Sequence, residues 1–366
     1  MDKFLRFLLI PVFIFNIACT KKVMSVYPGT SGLLQWHGRT MQDAEGGRQL
    51  ISSASGVTFR FTGDKCVVWL KNDAPDDNYN YISIVLDGIH QERRAIHFDT
   101  LTPFEIKVAK QSPYHNVDLY KETEAVNGRI VVSRIETDSL LATTGLKRKK
   151  IEFIGNSITV GMASDTSLIP CMHGTWYDQH NAYDAYGPRA ARALDLDYMV
   201  SGVSGIGIYR NWNTDGPTMG SVYEQSYMDG NPAGPQWDFK QFTPDILTIC
   251  LGTNDLSRGD GVTPRLPFDS IQFINAYVLF LEKINALYPD ALIVLLNSPV
   301  TGGDNEILNA CLQAVKEKAE KTINQIKPVS VFTFKIFEGT GCDGHPDVEQ
   351  HRMMAEELIP VIRKLL

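Results

Sequence analysis

A serine, a glycine, an asparagine and a histidine stand in four short polar turns that can together run acyl transfer. Ser157 lies in Gly155-Asn156-Ser157-Ile158-Thr159, and Gly205 in Gly202-Val203-Ser204-Gly205-Ile206-Gly207. Asn254 lies in Gly252-Thr253-Asn254-Asp255, and His345 in Asp343-Gly344-His345-Pro346. A free serine hydroxyl is almost wholly protonated and becomes a useful nucleophile only beside a base. Among the eight histidines, His345 is the candidate, because it alone closes the last strand-to-helix turn. Attack on a carbonyl builds charge on oxygen and needs donors placed in advance. The Gly205 N–H, the Asn254 side-chain amide and the Ser157 N–H can supply three. Glycine suits that place, since the backbone must approach the substrate closely.

Other groups in these turns have plainer readings. Ser204 is a rival nucleophile, but Ile206 breaks the Gly-x-Ser-x-Gly elbow. Asn254-Asp255 alone reads as a helix cap, and Asp255 as a cap or brace. Cys171, His173 and His180 match no strong metal-ligand spacing, and there is no Cys-x-x-Cys pair. Neither a phosphate loop nor a dinucleotide fingerprint is complete. The expectation is catalysis with no metal and no cofactor.

The turns need elements to hold them. Apolar, strand-like runs occur at Ile151–Ile154, Tyr198–Val200, Ile246–Leu251, Ala291–Leu296 and Val329–Phe334. Helical stretches lie between and after them, at Asp269–Tyr288, Asn305–Ile326 and Val348–Leu365. In the first, Ile271, Ile274, Val278, Leu281 and Ile284 fall near one face. Continuous apolar strands alternating with helices predict a five-stranded parallel sheet covered on both faces. Such sheets bind ligands beyond the C-terminal ends of their strands. The four polar turns fall there.

Before Lys147-Arg148-Lys149-Lys150 the texture differs. Val57-Thr58-Phe59-Arg60-Phe61 alternates strictly, and similar short segments follow to Ile135, separated by Gly63-Asp64, Asp87-Gly88 and Asn127-Gly128. This predicts an all-β sandwich, jelly-roll-like. The expected domains are 29–147 for the β-sandwich and 148–366 for the α/β part, after a linker over 20–28.

Residues 1–19 read as an export signal: Lys3 and Arg6, then an apolar run from Phe7 to Ala18, then Cys19. About 12 apolar residues are too few to span a bilayer, which needs about 20. Asn16-Ile17-Ala18-Cys19 resembles a bacterial lipoprotein signal, which implies lipidation of Cys19 and a periplasmic or outer-membrane-anchored protein whose only membrane contact is that anchor. Five further cysteines leave at least one thiol unpaired, with the pairing open. Lysines and arginines number 35 and acidic residues 42, a net charge of −7, with no basic run long enough for nucleic acid.

Taken together, Ser157, Gly205, Asn254 and His345 resemble the conserved blocks of the SGNH (GDSL-type) hydrolases, in that family's order, over about residues 150–366. With the β-domain in front, the chain most resembles carbohydrate esterase family two (acetyl xylan esterase type). Gly38-Arg39-Thr40 and the run at 205–211 also resemble that family. The resemblance implies a three-layer α/β hydrolase domain and removal of acetyl groups from plant polysaccharide or oligosaccharide. It implies Ser157 as nucleophile, His345 as general base and acid, and Gly205 and Asn254 as oxyanion donors. Two departures stand out. Asn156 replaces the usual aspartate before the serine. Cys342 occupies the usual place of the triad acid, so either Asp343 or a backbone carbonyl orients His345. Tyr209, Trp212 and Trp237 can stack on a sugar ring while Arg210 and Asn211 bind hydroxyls, or all five pack the loops. The competing functions are another SGNH esterase or lipase, a sugar transacetylase, and, in a different class, a non-catalytic carbohydrate-binding protein.

Overall fold

The computed structural model describes residues 23–366 apart from 76, 110, 144–147 and 302–303. The proposed signal and Cys19 lie outside the described residues. The first half is antiparallel β-structure, eleven strands joined in one hydrogen-bonded network. Its first strand, Ser25–Pro28, pairs with Arg134–Thr137, so these residues belong to the β-domain and not to a linker. Its backbone is the 18-residue strand Gly56–Asp73. Arg129–Leu141 runs beside it from Arg60 to Asp73; on its other side the early half pairs with Gln35–His37 and His115–Lys121 and the later half with Thr102–Lys107. One strand thus serves both sides of the domain.

The turn expected at Gly63-Asp64 is a bulge inside this strand. The ladder slips between Thr137 and Ser139, and Gly63 takes φ +102°, a conformation that favours glycine. A bulge absorbs the turn-forming residues without ending the pairing. The alternating inward residues Val57, Phe59, Phe61, Val68 and Leu70 are fully buried with Val117, Leu119, Ile130 and Val132.

The second half is a three-layer α/β unit. Its five strands are Lys150–Gly155, Asp197–Gly202, Ile246–Cys250, Leu292–Leu296 and Ser330–Phe332. All pairings are parallel, and the second strand lies outside the first. Successive side chains go to opposite faces. Ile151 and Phe153 pack with helices Tyr186–Ala193 and Val348–Arg363. Ile154, Leu247 and Ile249 pack with Ser270–Leu287 and Asn305–Thr322. Asp269 caps Ser270–Leu287 by accepting from the Ile271 and Gln272 amides. Ile271, expected inside, is exposed in that first turn; Val278, Leu281 and Ile284 are buried as expected, together with Phe273, Tyr277 and Phe280.

The two halves meet through buried charge. Arg39 of the β-domain is fully buried. It donates to Ser201 Oγ (3.2 Å) and the Gln225 carbonyl (2.8 Å), and sits 3.9 Å from Glu152 of the central sheet. Arg93 donates to Asp165 Oδ2 (2.9 Å) and to the carbonyls of Asp178 and His180. Tyr79 and Tyr81 both donate to Asp178 Oδ1, at 2.5 and 2.8 Å. Asp165, Asp178 and His180 belong to the insertion between helices Ser157–Val160 and Tyr186–Ala193, so the β-domain holds that insertion in place.

Candidate active site

Strand Lys150–Gly155 ends at Asn156, which caps the one-turn helix Ser157–Val160. The Asn156 side-chain oxygen accepts from the Ile158 amide at 3.2 Å. Asparagine thus does the bracing that an aspartate's oxygen would do, without the charge. Ser157 stands at the first helical position, where the backbone N–H has no partner within the helix.

The last loop brings His345 to it. His345 Nε2 lies 2.9 Å from Ser157 Oγ, and its Nδ1 lies 3.2 Å from the Cys342 carbonyl oxygen. A ring that donates Nδ1–H to that carbonyl presents a bare Nε2 to the serine, the tautomer a general base needs. Burial is the largest influence on the imidazole and pulls its pKa below 6.5; the Cys342 carbonyl and the Asp343 charge push the other way. The neutral form therefore predominates at neutral pH. Asp343 is exposed, has φ +53°, and acts on the ring through its charge and its backbone, with no side-chain bond to Nδ1. Of the two sequence alternatives for the group on Nδ1, the geometry corrects Asp343 and favours the carbonyl.

A disulfide secures this loop. Cys342 pairs with Cys171, across 171 residues of sequence, and ties the histidine loop to the insertion. Cys66, Cys250 and Cys311 are buried thiols. Cys171 is thus committed to a covalent bond.

The oxyanion candidates converge on the same place. Gly205 is the third residue of a turn closed by the Ile206 amide on the Val203 carbonyl (3.3 Å), and has φ +76°. That conformation favours glycine, and a Cβ there would meet open space, so the residue is required by the backbone. The Asn254 amide is buried and donates to the Ile206 carbonyl at 2.7 Å. This bond uses one of its two hydrogens. Asp255 accepts the amides of Ile208, Tyr209 and Arg210 on one carboxylate, at 2.9–3.2 Å, and so braces the glycine loop.

Ser157, Gly205, Asn254 and His345 line one open cleft of about 890 Å³. Trp212 is on its wall, 45% exposed. The other expected sugar contacts are otherwise engaged. Tyr209 packs between Phe268 and Phe273 and accepts the Asp269 amide. Arg210 donates to the carbonyls of Asp255 and Leu266, both at 2.6 Å. Asn211 reaches the cleft, but its amide is bound to Gly207, Gly216 and Pro217. Trp237 is buried with Met199 and Phe242, its ring under Arg39. Tyr209, Arg210 and Asn211 supply hydrogen-bond partners for the polar groups of these loops, and Trp237 packs behind them.

The sequence reading missed Trp176 and Val126. Trp176 lies in the insertion, 45% exposed on the cleft wall, its ring edge against His180. Val126 reaches the same cleft from the β-domain. Each comes from a segment with no catalytic signature, and only the fold brings it in.

Comparison with known proteins gives the family and the fold. Residues 153–351 match the GDSL-like Lipase/Acylhydrolase family, and residues 36–143 match the Carbohydrate esterase 2 N-terminal family. An acetylxylan esterase / glucomannan deacetylase of Cellvibrio japonicus is 29% identical over 322 residues, covering 86% of this chain and 82% of its own. A family two carbohydrate esterase from Clostridium thermocellum, solved in complex with cellohexaose, superposes with a TM-score of 0.79 at 25% identity, over 90% of this chain and 98% of that one. A family two carbohydrate esterase from Cellvibrio japonicus shares the fold with a TM-score of 0.81 at 23% identity, over 93% and 98%. The chain therefore belongs to the GDSL-like lipase/acylhydrolase family, in the two-domain form of carbohydrate esterase family two, and is an ester hydrolase.

Proposed function

We propose that the protein is a carbohydrate O-acetyl esterase working through a Ser157–His345 pair and an acetyl-enzyme. The observation that carries this is the 2.9 Å contact between Ser157 Oγ and His345 Nε2, in a cleft shared with Gly205 and Asn254. Ser157 Oγ attacks the acetyl carbonyl while Nε2 takes its proton. The Gly205 and Ser157 amides and the free hydrogen of the Asn254 side chain bind the oxyanion. The C–O bond to the sugar breaks, and Nε2 returns the proton to the departing hydroxyl. Water then attacks the acetyl-enzyme by the same route in reverse, releasing acetate.

An acetylated plant polysaccharide or oligosaccharide is the proposed substrate. The likeness to the Cellvibrio acetylxylan esterase / glucomannan deacetylase and to the Clostridium enzyme solved with cellohexaose supports it. Exposed Trp176 and Trp212 give flat apolar surfaces on which a pyranose face can stack. Export as a lipoprotein through Cys19 is proposed with it, and the Cys171–Cys342 bond supports an oxidising compartment. The test is acetate release from acetylated xylan, glucomannan and pectin, with 4-nitrophenyl acetate as a simple ester. Ser157→Ala should lower kcat at least 10³-fold on every substrate, in line with the loss of a serine nucleophile. A folded Ser157→Ala protein that still hydrolyses these esters overturns the assignment.

A further inference from the structure

The glycine turn that offers the oxyanion donor is held from below by the other domain. Glu124 of the β-domain is fully buried. Its Oε2 accepts the Ser204 amide at 2.7 Å, and its Oε1 lies 3.2 Å from His180 Nε2. Its own backbone carbonyl accepts from the buried Lys121 Nζ at 2.8 Å, and Lys121 also donates to the Thr123 carbonyl at 2.7 Å. The carboxylate is thus set by a segment that is pinned at its base.

The turn Val203–Ile206 has two anchored flanks. On one side the Ser204 N–H points down to Glu124. On the other the Gly205 carbonyl accepts the Trp212 amide at 2.8 Å. With the Ser204 amide and the Gly205 carbonyl both engaged, the peptides on either side of the Ser204–Gly205 peptide are held, and this restricts the direction in which the Gly205 N–H can point. Among the described residues no acceptor takes that N–H. A charged acceptor makes a stronger bond to an amide than a neutral one does, and in a fully buried place solvent does not compete with it.

We propose that Glu124 is a positioning residue for the oxyanion hole: the β-domain sets the direction of the Gly205 N–H through the Ser204 amide, and the hydrolase domain does not make a competent site by itself. The proposal rests on the Ser157–His345 reading above. It assigns Glu124 no contact with substrate. A misplaced donor lowers transition-state stabilisation while leaving ground-state binding nearly untouched, because the oxyanion forms only during reaction.

The experiment compares full-length wild type with Glu124→Ala, Glu124→Asp and Glu124→Gln, each checked for folding by circular dichroism, with Ser157→Ala as a separate control. The substrate is 4-nitrophenyl acetate, and the probe is a small alkyl boronic acid, which forms a tetrahedral adduct on an active serine. Glu124→Ala should lose about 30–100-fold in kcat with KM within about twofold, and should bind the boronate correspondingly more weakly. Glu124→Gln keeps an oxygen for the Ser204 amide and should stay within about fivefold of wild type. Glu124→Asp keeps the charge but draws the oxygen back by one methylene, and should lose about tenfold in kcat. Should Glu124→Ala fail to fold, the Asp variant decides. Wild-type kcat in a folded Ala or Asp variant, or a loss confined to KM, overturns the proposal. An active Ser157→Ala overturns the mechanism beneath it, so the two failures are told apart.

Discussion

At the scale of the residue, the decisive feature is that a peptide carbonyl, not a carboxylate, receives His345 Nδ1–H. A carbonyl fixes the tautomer as well as a carboxylate does but stabilises the imidazolium less, because it carries only a partial charge. Asp343 contributes its charge from an exposed position, where solvent weakens it. We therefore expect Asp343→Asn, which tolerates the positive φ, to keep kcat on an aryl acetate within about fivefold. Loss of a buried triad acid costs about 10⁴-fold, so a drop of that size would restore Asp343 to the triad. Ser157, Gly205, Asn254 and His345 were legible in the sequence because each sits on a short turn whose glycine and polar content is set locally. Glu124 and Trp176 were not, because their roles depend on which remote segment lies beside them. Tyr209, Arg210 and Trp237 misled for the complementary reason. An aromatic or an arginine near a catalytic turn looks the same in sequence whether it faces substrate or closes the loop behind it.

At the scale of the element, the strands and helices followed their periodicities closely. The exceptions have local causes: Gly63-Asp64 forms a bulge because Arg129–Leu141 continues alongside, and Ser25–Pro28 joins the sheet because a partner strand is there to receive it. The disulfide pairing was not legible, since only the fold sets Cys171 against Cys342. It acts on one loop in two ways. It closes a very long loop of chain, which stabilises the fold by about 2–5 kcal/mol. It also immobilises the residue whose carbonyl steers His345. Replacing both cysteines by serine should lower Tm by several degrees and cut kcat about tenfold while KM changes little. Thermal unfolding and steady-state kinetics on the same preparation check this; an unchanged kcat beside a lowered Tm would show the bond to be structural alone.

At the scale of the whole molecule, the interface contains buried ionisable groups beside its apolar contacts, and their protonation couples to folding. Glu122 of the β-domain is fully buried and accepts the Tyr183 amide of the insertion at 2.8 Å. Burial pushes its carboxyl up from 4.5 to about 7. The folded state therefore holds a proton that the unfolded chain has released, so this group's contribution is full below about pH 4.5 and is lost as pH rises through about 7. Glu122→Gln, which keeps the oxygen for Tyr183, should match wild-type Tm near pH 4.5 and exceed it above pH 7. Melting curves across that range test the sign; a Tm difference that is flat with pH, or that shrinks as pH rises, contradicts it.

The Arg39–Glu152 and Arg93–Asp165 contacts decide whether the two halves can exist apart. Each spans the two halves, and each pairs charges that have little or no access to water. Separating the halves would strand a carboxylate inside the hydrolase sheet and another inside the insertion, and breaking such a pair costs about 3–5 kcal/mol. The β-domain is therefore not a detachable appendage: expressed apart, each half is expected to be less stable than the full chain, and thermal unfolding of the separated halves beside the intact protein checks this.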